Sequence, residues 1–198
     1  MARLAGRSVG LDGVVDQQDN YRRSGFVYAG RNVRFRGRPV RPSGDNCASV
    51  AIRPVEPRDL PSLTTFDAAH FGADRAAFLE RWALPQRASR QTYVASSASD
   101  PSQIEGYATI RRCYAGHKVG PLFAPDASVA RALLNALFDW AGDAADVSLD
   151  VPQDNAAGVA LAESMELVES FETARMYLGT APALPIERIF GVTTFELG

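Results

Sequence analysis

Lysine is nearly missing from this chain. Lys118 is the only one, although lysine and arginine together number 21. That imbalance points to a general preference for arginine, which weakens the arginines between Arg22 and Arg41 as a mark of nucleic-acid binding. The stretch also lacks interleaved exposed aromatics beyond Tyr28 and Phe35, so no nucleic-acid partner is expected. Cysteine is scarce as well. Cys47 and Cys113 give neither a disulfide framework nor ligand spacing for zinc. His70 has no Cys or His close in sequence and His117 has only Cys113, which makes no ligand set, so no metal is expected. No apolar run is long enough to span a bilayer, and the N-terminus lacks the apolar core of a signal peptide. The expectation is a reduced, cytoplasmic setting without a membrane partner. A net charge of −2 sets no bias toward polyanions.

What is present divides into two blocks. A chain of 198 residues can bury one sizeable core, or one and a fragment of another. In the first block, residues 8–12 read as a strand and 14–23 as a polar helix stopped by Gly25. Residues 26–29 and 32–36 read as two strands around a Gly30 turn, the second with Val33 and Phe35 alternating against Arg34 and Arg36. Residues 37–46, GRPVRPSGDN, have the composition of a linker. The second block starts at Ser49. It reads as a strand over 50–55, a helix capped by Asp59 to about His70, and a helix over 75–84 capped by Asp74. A strand over 90–96 and a hairpin of 104–114 with 118–123 follow. Then come a helix, a strand over 146–151, a helix headed by Asp154 or Asn155, and strands over 167–178 and 192–197. That order predicts an α/β (α+β) domain with a mixed sheet and helices on its faces.

The pivotal stretch is VGPLFAPDASVARALLNALFD, Val119–Asp139. Val129, Leu133, Leu137 and Trp140 recur at helical spacing, and Ala130, Leu134 and Phe138 widen the stripe. Asp126 and Ser128 stand where a short side chain caps free backbone N–H groups. A helix start of this kind also suits an anion such as a phosphate. There is an internal echo too. Val9-Gly10-Leu11-Asp12 leads to Asp19-Asn20, and Val147-Ser148-Leu149-Asp150 leads to Asp154-Asn155. Each copy continues into strands carrying an arginine, Arg34 in one and Arg175 in the other.

This order resembles the GNAT superfamily of acyl-CoA-dependent N-acetyltransferases. Asn20-Tyr21-Arg22-Arg23-Ser24-Gly25-Phe26 resembles its late Tyr-x-x-x-Gly-Phe motif, and Val119–Leu134 resembles its cofactor strand, turn and helix. The segments 71–75, 171–176 and 190–195 are similar to a bacterial subfamily with two GNAT units in tandem. The resemblance implies a mostly antiparallel sheet flanked by helices. It also implies that residues 1–37 are the end of a first unit, 38–48 a linker and 49–198 a complete second unit. The apolar residues Phe26, Tyr28, Val33 and Phe35 of the first segment then need covering by the second unit or by a second copy. In the cofactor motif, Pro125 and Ser128 replace the usual residues and only Ala130 fits.

The implied activity is transfer of an acetyl group from acetyl-CoA to the amine of a small molecule. The alternative is a non-catalytic GNAT-like module for ligand binding or dimerisation. In the first reading the pyrophosphate meets backbone N–H groups of Asp126, Ala127, Ser128, Val129 and Ala130. The pantetheine arm runs between the strand ending at Leu122 and the strand 146–151, touching Asn155. The Leu122 N–H is the candidate oxyanion donor, because Pro121 has none. A carboxylate then takes the amine proton. Asp74 reads as a cap and Glu105 as a solvated strand residue, which leaves Asp67 as the base. Tyr177 is the candidate acid, and Arg75 and Arg175 are candidates for an acidic group on the substrate.

Overall fold

The computed structural model describes residues 7–41, 50–84 and 88–197. Nine strands and five helices run in the order β1 (Val9–Val14), α1 (Gln18–Arg23), β2 (Val27–Gly37), β3 (Val50–Pro54), α2 (Leu60–Phe71), α3 (Ala76–Trp82), β4 (Arg90–Ser97), β5 (Ile104–Arg112), β6 (His117–Phe123), α4 (Ala127–Ala141), β7 (Val147–Pro152), α5 (Ala156–Ser164), β8 (Val168–Leu178) and β9 (Ile189–Gly191). All join one mixed sheet of order β1-β8-β2-β7-β6-β5-β4-β3, with β9 pairing β6 from the side. Among these neighbours β6 and β7 are parallel and the other pairs antiparallel.

Alternation along the central strands divides the interior into two layers. Ala95, Ala108 and Leu122 face a cluster with Val129, Leu133 and Leu137 of α4 and Leu161 of α5. Their neighbours Val94, Tyr107 and Phe123 face the other way, against Leu63 of α2 and Leu79 of α3. Each buried Val, Leu or Phe among them contributes about 1.5–3 kcal/mol relative to exposure. The apolar stripe of α4 read from the sequence is therefore the ridge that anchors one face of the sheet.

The two echoing segments interleave in the sheet. From its edge inward, β1 of the first copy pairs β8 of the second, β8 pairs β2 of the first, and β2 pairs β7 of the second. The register sets Asp12 opposite Arg175 and Arg34 opposite Asp150. Both pairs close as ion pairs, Arg175 Nη1 to Asp12 Oδ2 at 2.7 Å and Arg34 Nε to Asp150 Oδ1 at 2.6 Å. Lys118 also donates to Asp150. Val33 and Phe35 are buried in this arrangement, whereas Tyr28 stays exposed.

Three local expectations are corrected. Residues 27–37 form one strand and not two, because Ala29 bulges out between the paired Tyr28 and Gly30 instead of turning the chain. Asp59 does not cap α2. Its carboxylate accepts from the Glu56 N–H at 2.8 Å and pairs with Arg53, closing a 3-10 turn ahead of the helix. The last strand is Ile189–Gly191, not 192–197. Asp74 does serve the start of α3, accepting from the Ala76 N–H at 2.8 Å. Most of the linker, residues 42–48, lies outside the described residues.

Candidate active site

The parallel pairing of β6 with β7 is short. It holds from His117 to Val119 against Val147 to Leu149, and beyond it the strands part. The resemblance puts the pantetheine arm in that opening. Here the chain's own C-terminal segment lies in it. Leu122 stands opposite Gly191 of β9, the Ala124 N–H donates to the Arg188 carbonyl at 3.0 Å, and the Val192 N–H donates to the Asp150 carbonyl at 2.9 Å. Asn155 caps α5 by accepting from the Gly158 N–H at 2.9 Å. Its amide donates to the carbonyl of Ile189 at 3.0 Å, so it grips protein where an arm of cofactor was expected. Gly120 shows how tight the fit is. A Cβ there would come within 2.3 Å of the Thr193 carbonyl oxygen.

The start of α4 is also taken. Asp126 Oδ1 accepts from the N–H groups of Ser128 at 2.8 Å and Val129 at 3.0 Å, and the Ala130 N–H donates to the Asp126 carbonyl at 3.1 Å. Hydrogen bonds from Ser128, then from the Val129 N–H, hold the Asp126 carboxyl below its usual range. A carboxylate therefore occupies donors that a pyrophosphate would need. Ala127 opens the helix beside it. At this turn a pyrophosphate competes with Asp126 for the Ser128 and Val129 N–H groups, and in the groove a pantetheine arm competes with residues 188–192.

Asp67 and Arg75 are brought together, and neither lines the cavity that holds Arg175 and Tyr177. Asp67 is fully buried, and both its oxygens accept from Arg75, at 2.7 and 2.8 Å. Tyr107 donates its hydroxyl to the same carboxylate. Burial, followed by that negative charge, pushes the Tyr107 phenol well above its usual value. Arg75 Nη1 donates to Thr193 Oγ1 at 2.9 Å, and its guanidinium lies over the Phe71 ring at 3.9 Å. This network ties α2, α3 and β5 to the C-terminal segment. Both Asp67 oxygens and the Nε, Nη1 and Nη2 atoms of Arg75 are engaged within it.

Arg175 and Tyr177 lie elsewhere, on the wall of a cavity of about 320 Å³. Arg175 Nε donates to Tyr177 Oη at 3.0 Å, so the phenol keeps its own proton to donate. Beside them the wall is mostly apolar, with Phe71, Phe123, Leu184 and Ile189. Its charges are Arg31, Arg175 and Asp154. Arg31 is neutralised by Glu172 at 3.0 Å and Arg175 by Asp12. Asp154, exposed at the cavity, makes no ion pair among the described residues.

His70, which no sequence motif singles out, lines the same cavity. The residue is 4 % exposed, and its ring stacks between Phe66 and Phe123, with centroids 4.3 and 5.2 Å away. Nδ1 sits 2.7 Å from the Phe66 carbonyl oxygen. A carbonyl only accepts, so Nδ1 carries the proton and Nε2 is left as an acceptor. Burial lowers the imidazole below its usual value and keeps it neutral near pH 7. The only signal in sequence was its place in the last turn of α2, before Gly72 ends the helix in the left-handed region at φ 87°.

Comparison with known proteins accounts for the architecture. Residues 63–191 match the model of an acetyltransferase (GNAT) domain. A holothin acyltransferase from Pseudoalteromonas sp. strain SANK 73390 is 28% identical over 192 residues, covering 97% of this chain and 63% of that protein. An assigned acetyltransferase of Pyrococcus horikoshii superposes with a TM-score of 0.71 at 21% identity, over 96% of this chain and 60% of that one. A GCN5-related N-acetyltransferase of Sphaerobacter thermophilus gives 0.61 at 12% identity, over 86% and 59%. The chain thus spans about three-fifths of the length of these relatives. No helix among the described residues is long and apolar enough to cross a membrane. The family model covers most of the chain, and the sheet, its parted parallel strands and its flanking helices agree with it: the chain belongs to the GNAT acetyltransferase family.

Proposed function

We propose that the protein serves transfer of an acetyl group from acetyl-CoA to the amine of a small molecule, and that the cavity beside Arg175 and Tyr177 receives the amine. The observation that carries this reading is the charge balance of the cavity wall. Two arginines are cancelled by acids behind them, the histidine is neutral, and Asp154 is the charge left over. A mostly apolar wall with one uncompensated carboxylate suits a compact apolar body bearing a protonated amine. The relative named for holothin makes holothin a first acceptor to assay.

The alternative of a non-catalytic binding module is favoured by the filled groove and by Asp126 at the head of α4. The two readings combine if this unit holds the amine and another unit holds the donor. The interleaved β1, β8, β2 and β7 support taking residues 1–37 as the end of a first unit and 49–198 as the second. Calorimetry with 5-(aminomethyl)indole tests the acceptor site. Wild type is expected to bind, Asp154→Asn to bind about three- to fivefold more weakly, as for an exposed charge pair, and Leu184→Trp, which fills the cavity, not at all. Binding unaffected by both substitutions would move the amine out of the cavity.

A further inference from the structure

Among the described residues, the buried acceptor His70 Nε2 has no hydrogen-bond partner, while the ring is fixed on both faces and at its other nitrogen. Leaving such an atom unsatisfied costs about 1–3 kcal/mol, so on the wall of a cavity it favours a ligand that brings a donor. The ring cannot turn to relieve it, because exchanging the nitrogens would break the bond to the Phe66 carbonyl and leave another orphan.

We infer that His70 Nε2 is the specificity-determining acceptor of the cavity, and that the ligand carries an N–H or O–H donor on its apolar body in addition to its amine. This rests on the reading of the cavity as the amine site. Asp154 and His70 then recognise different ends of one molecule: the carboxylate takes the ammonium, and the neutral imidazole takes a ring donor. The class this selects is a heteroaromatic or phenolic amine. A purely hydrocarbon amine of the same size leaves Nε2 unpaired and binds more weakly. Tyr177 brings a donor to the same wall, so a ligand with a carbonyl beside its ring N–H would be matched as well.

The test compares 5-(aminomethyl)indole with its 1-methyl analogue, which lacks the ring N–H, on wild type and His70→Phe. Phenylalanine keeps the stack between Phe66 and Phe123 and removes the acceptor. Wild type should prefer the parent amine about five- to tenfold, and His70→Phe should lose that preference while its affinity for the methyl analogue is unchanged. In ¹⁵N spectra of imidazole-labelled wild type, the Nε2 resonance should move on adding the parent amine and stay on adding the analogue. This second readout holds even if the variant folds poorly. Equal affinity of wild type for both amines, a preference that survives in His70→Phe, or an unmoved Nε2 resonance would overturn the role of His70 while leaving the amine cavity standing. Failure of folded wild type to bind either amine would overturn both.

Discussion

Asp67 and His70 lie one helical turn apart on α2, and folding gives them opposite fates. From the sequence, Asp67 was the carboxylate with no structural task, yet it has the heaviest one. Its partners Arg75 and Tyr107 are eight and forty residues away, and no local pattern announces them. Removing it leaves a buried guanidinium uncompensated, so Asp67→Ala should cost about 3–5 kcal/mol in urea unfolding. A loss below about 1 kcal/mol would mean that Arg75 finds water instead. His70 predicts a pH effect. Burial, the largest cause, and Arg188 lower its pKa, while the Phe66 carbonyl, Asp67 and Glu187 oppose the fall. The folded imidazole therefore binds a proton at lower pH than the unfolded one, whose ordinary value is 6.5. Below that value the unfolded chain holds more protons, and stability falls as pH drops through 6.5 toward the folded value. Urea midpoints measured from neutral to mildly acidic pH should decline less in His70→Phe than in wild type. The decline should not vanish, because burial lowers His117 in the same direction. Equal slopes would show that His70 takes up its proton at the same pH in the folded and the unfolded protein.

Elements were legible wherever periodicity was strong and local. The stripe of α4, the hairpin of β5 and β6, and the caps Asp126 and Asn155 follow from spacing and short polar side chains alone. Misreadings came where tertiary pairing overrode a local signal. Gly30 reads as a turn, but β2 is clamped by β7 on one side and β8 on the other, so the chain absorbs one extra residue as a bulge and runs on. Ile189–Gly191 was hidden behind a Pro-rich connection and is a strand only because β6 offers it an edge. That edge explains a further prediction. Gly120 faces the carbonyl oxygens of Val192 and Thr193, and backbone cannot swing aside as a side chain can. Gly120→Ala should destabilise the fold by about 1–3 kcal/mol and raise hydrogen exchange at Val192, whose N–H bonds to Asp150. Unchanged exchange there would show that the C-terminal segment is not held against β6.

At the scale of the whole molecule, family resemblance foretold the fold but not what this unit does with its groove. The sequence already showed a weakened cofactor turn, with Pro125 and Ser128 out of pattern. It could not show that residues 188–192 pair with β6 and bond to Asp150, because those partners lie far away in sequence and the likeness of 190–195 to the family does not name them. Two independent obstacles now face acetyl-CoA here. Asp126 supplies a negative charge to the N–H groups of Ser128 and Val129, and the chain from Arg188 to Val192 uses hydrogen bonds along β6 and to Asp150. Relieving one leaves the other. Asp126→Gly frees the helix start for an anion, so the variant should gain weak, salt-sensitive binding of inorganic phosphate. It should still show no heat with acetyl-CoA, since the arm has nowhere to lie. Wild type should bind neither, as judged by calorimetry with circular dichroism to confirm folding. Tight acetyl-CoA binding by wild type, lost in Ala130→Glu, would instead place the donor at α4 and require residues 186–195 to leave the groove. Hydrogen exchange across Ile189–Val192 with and without acetyl-CoA would then reveal that departure directly.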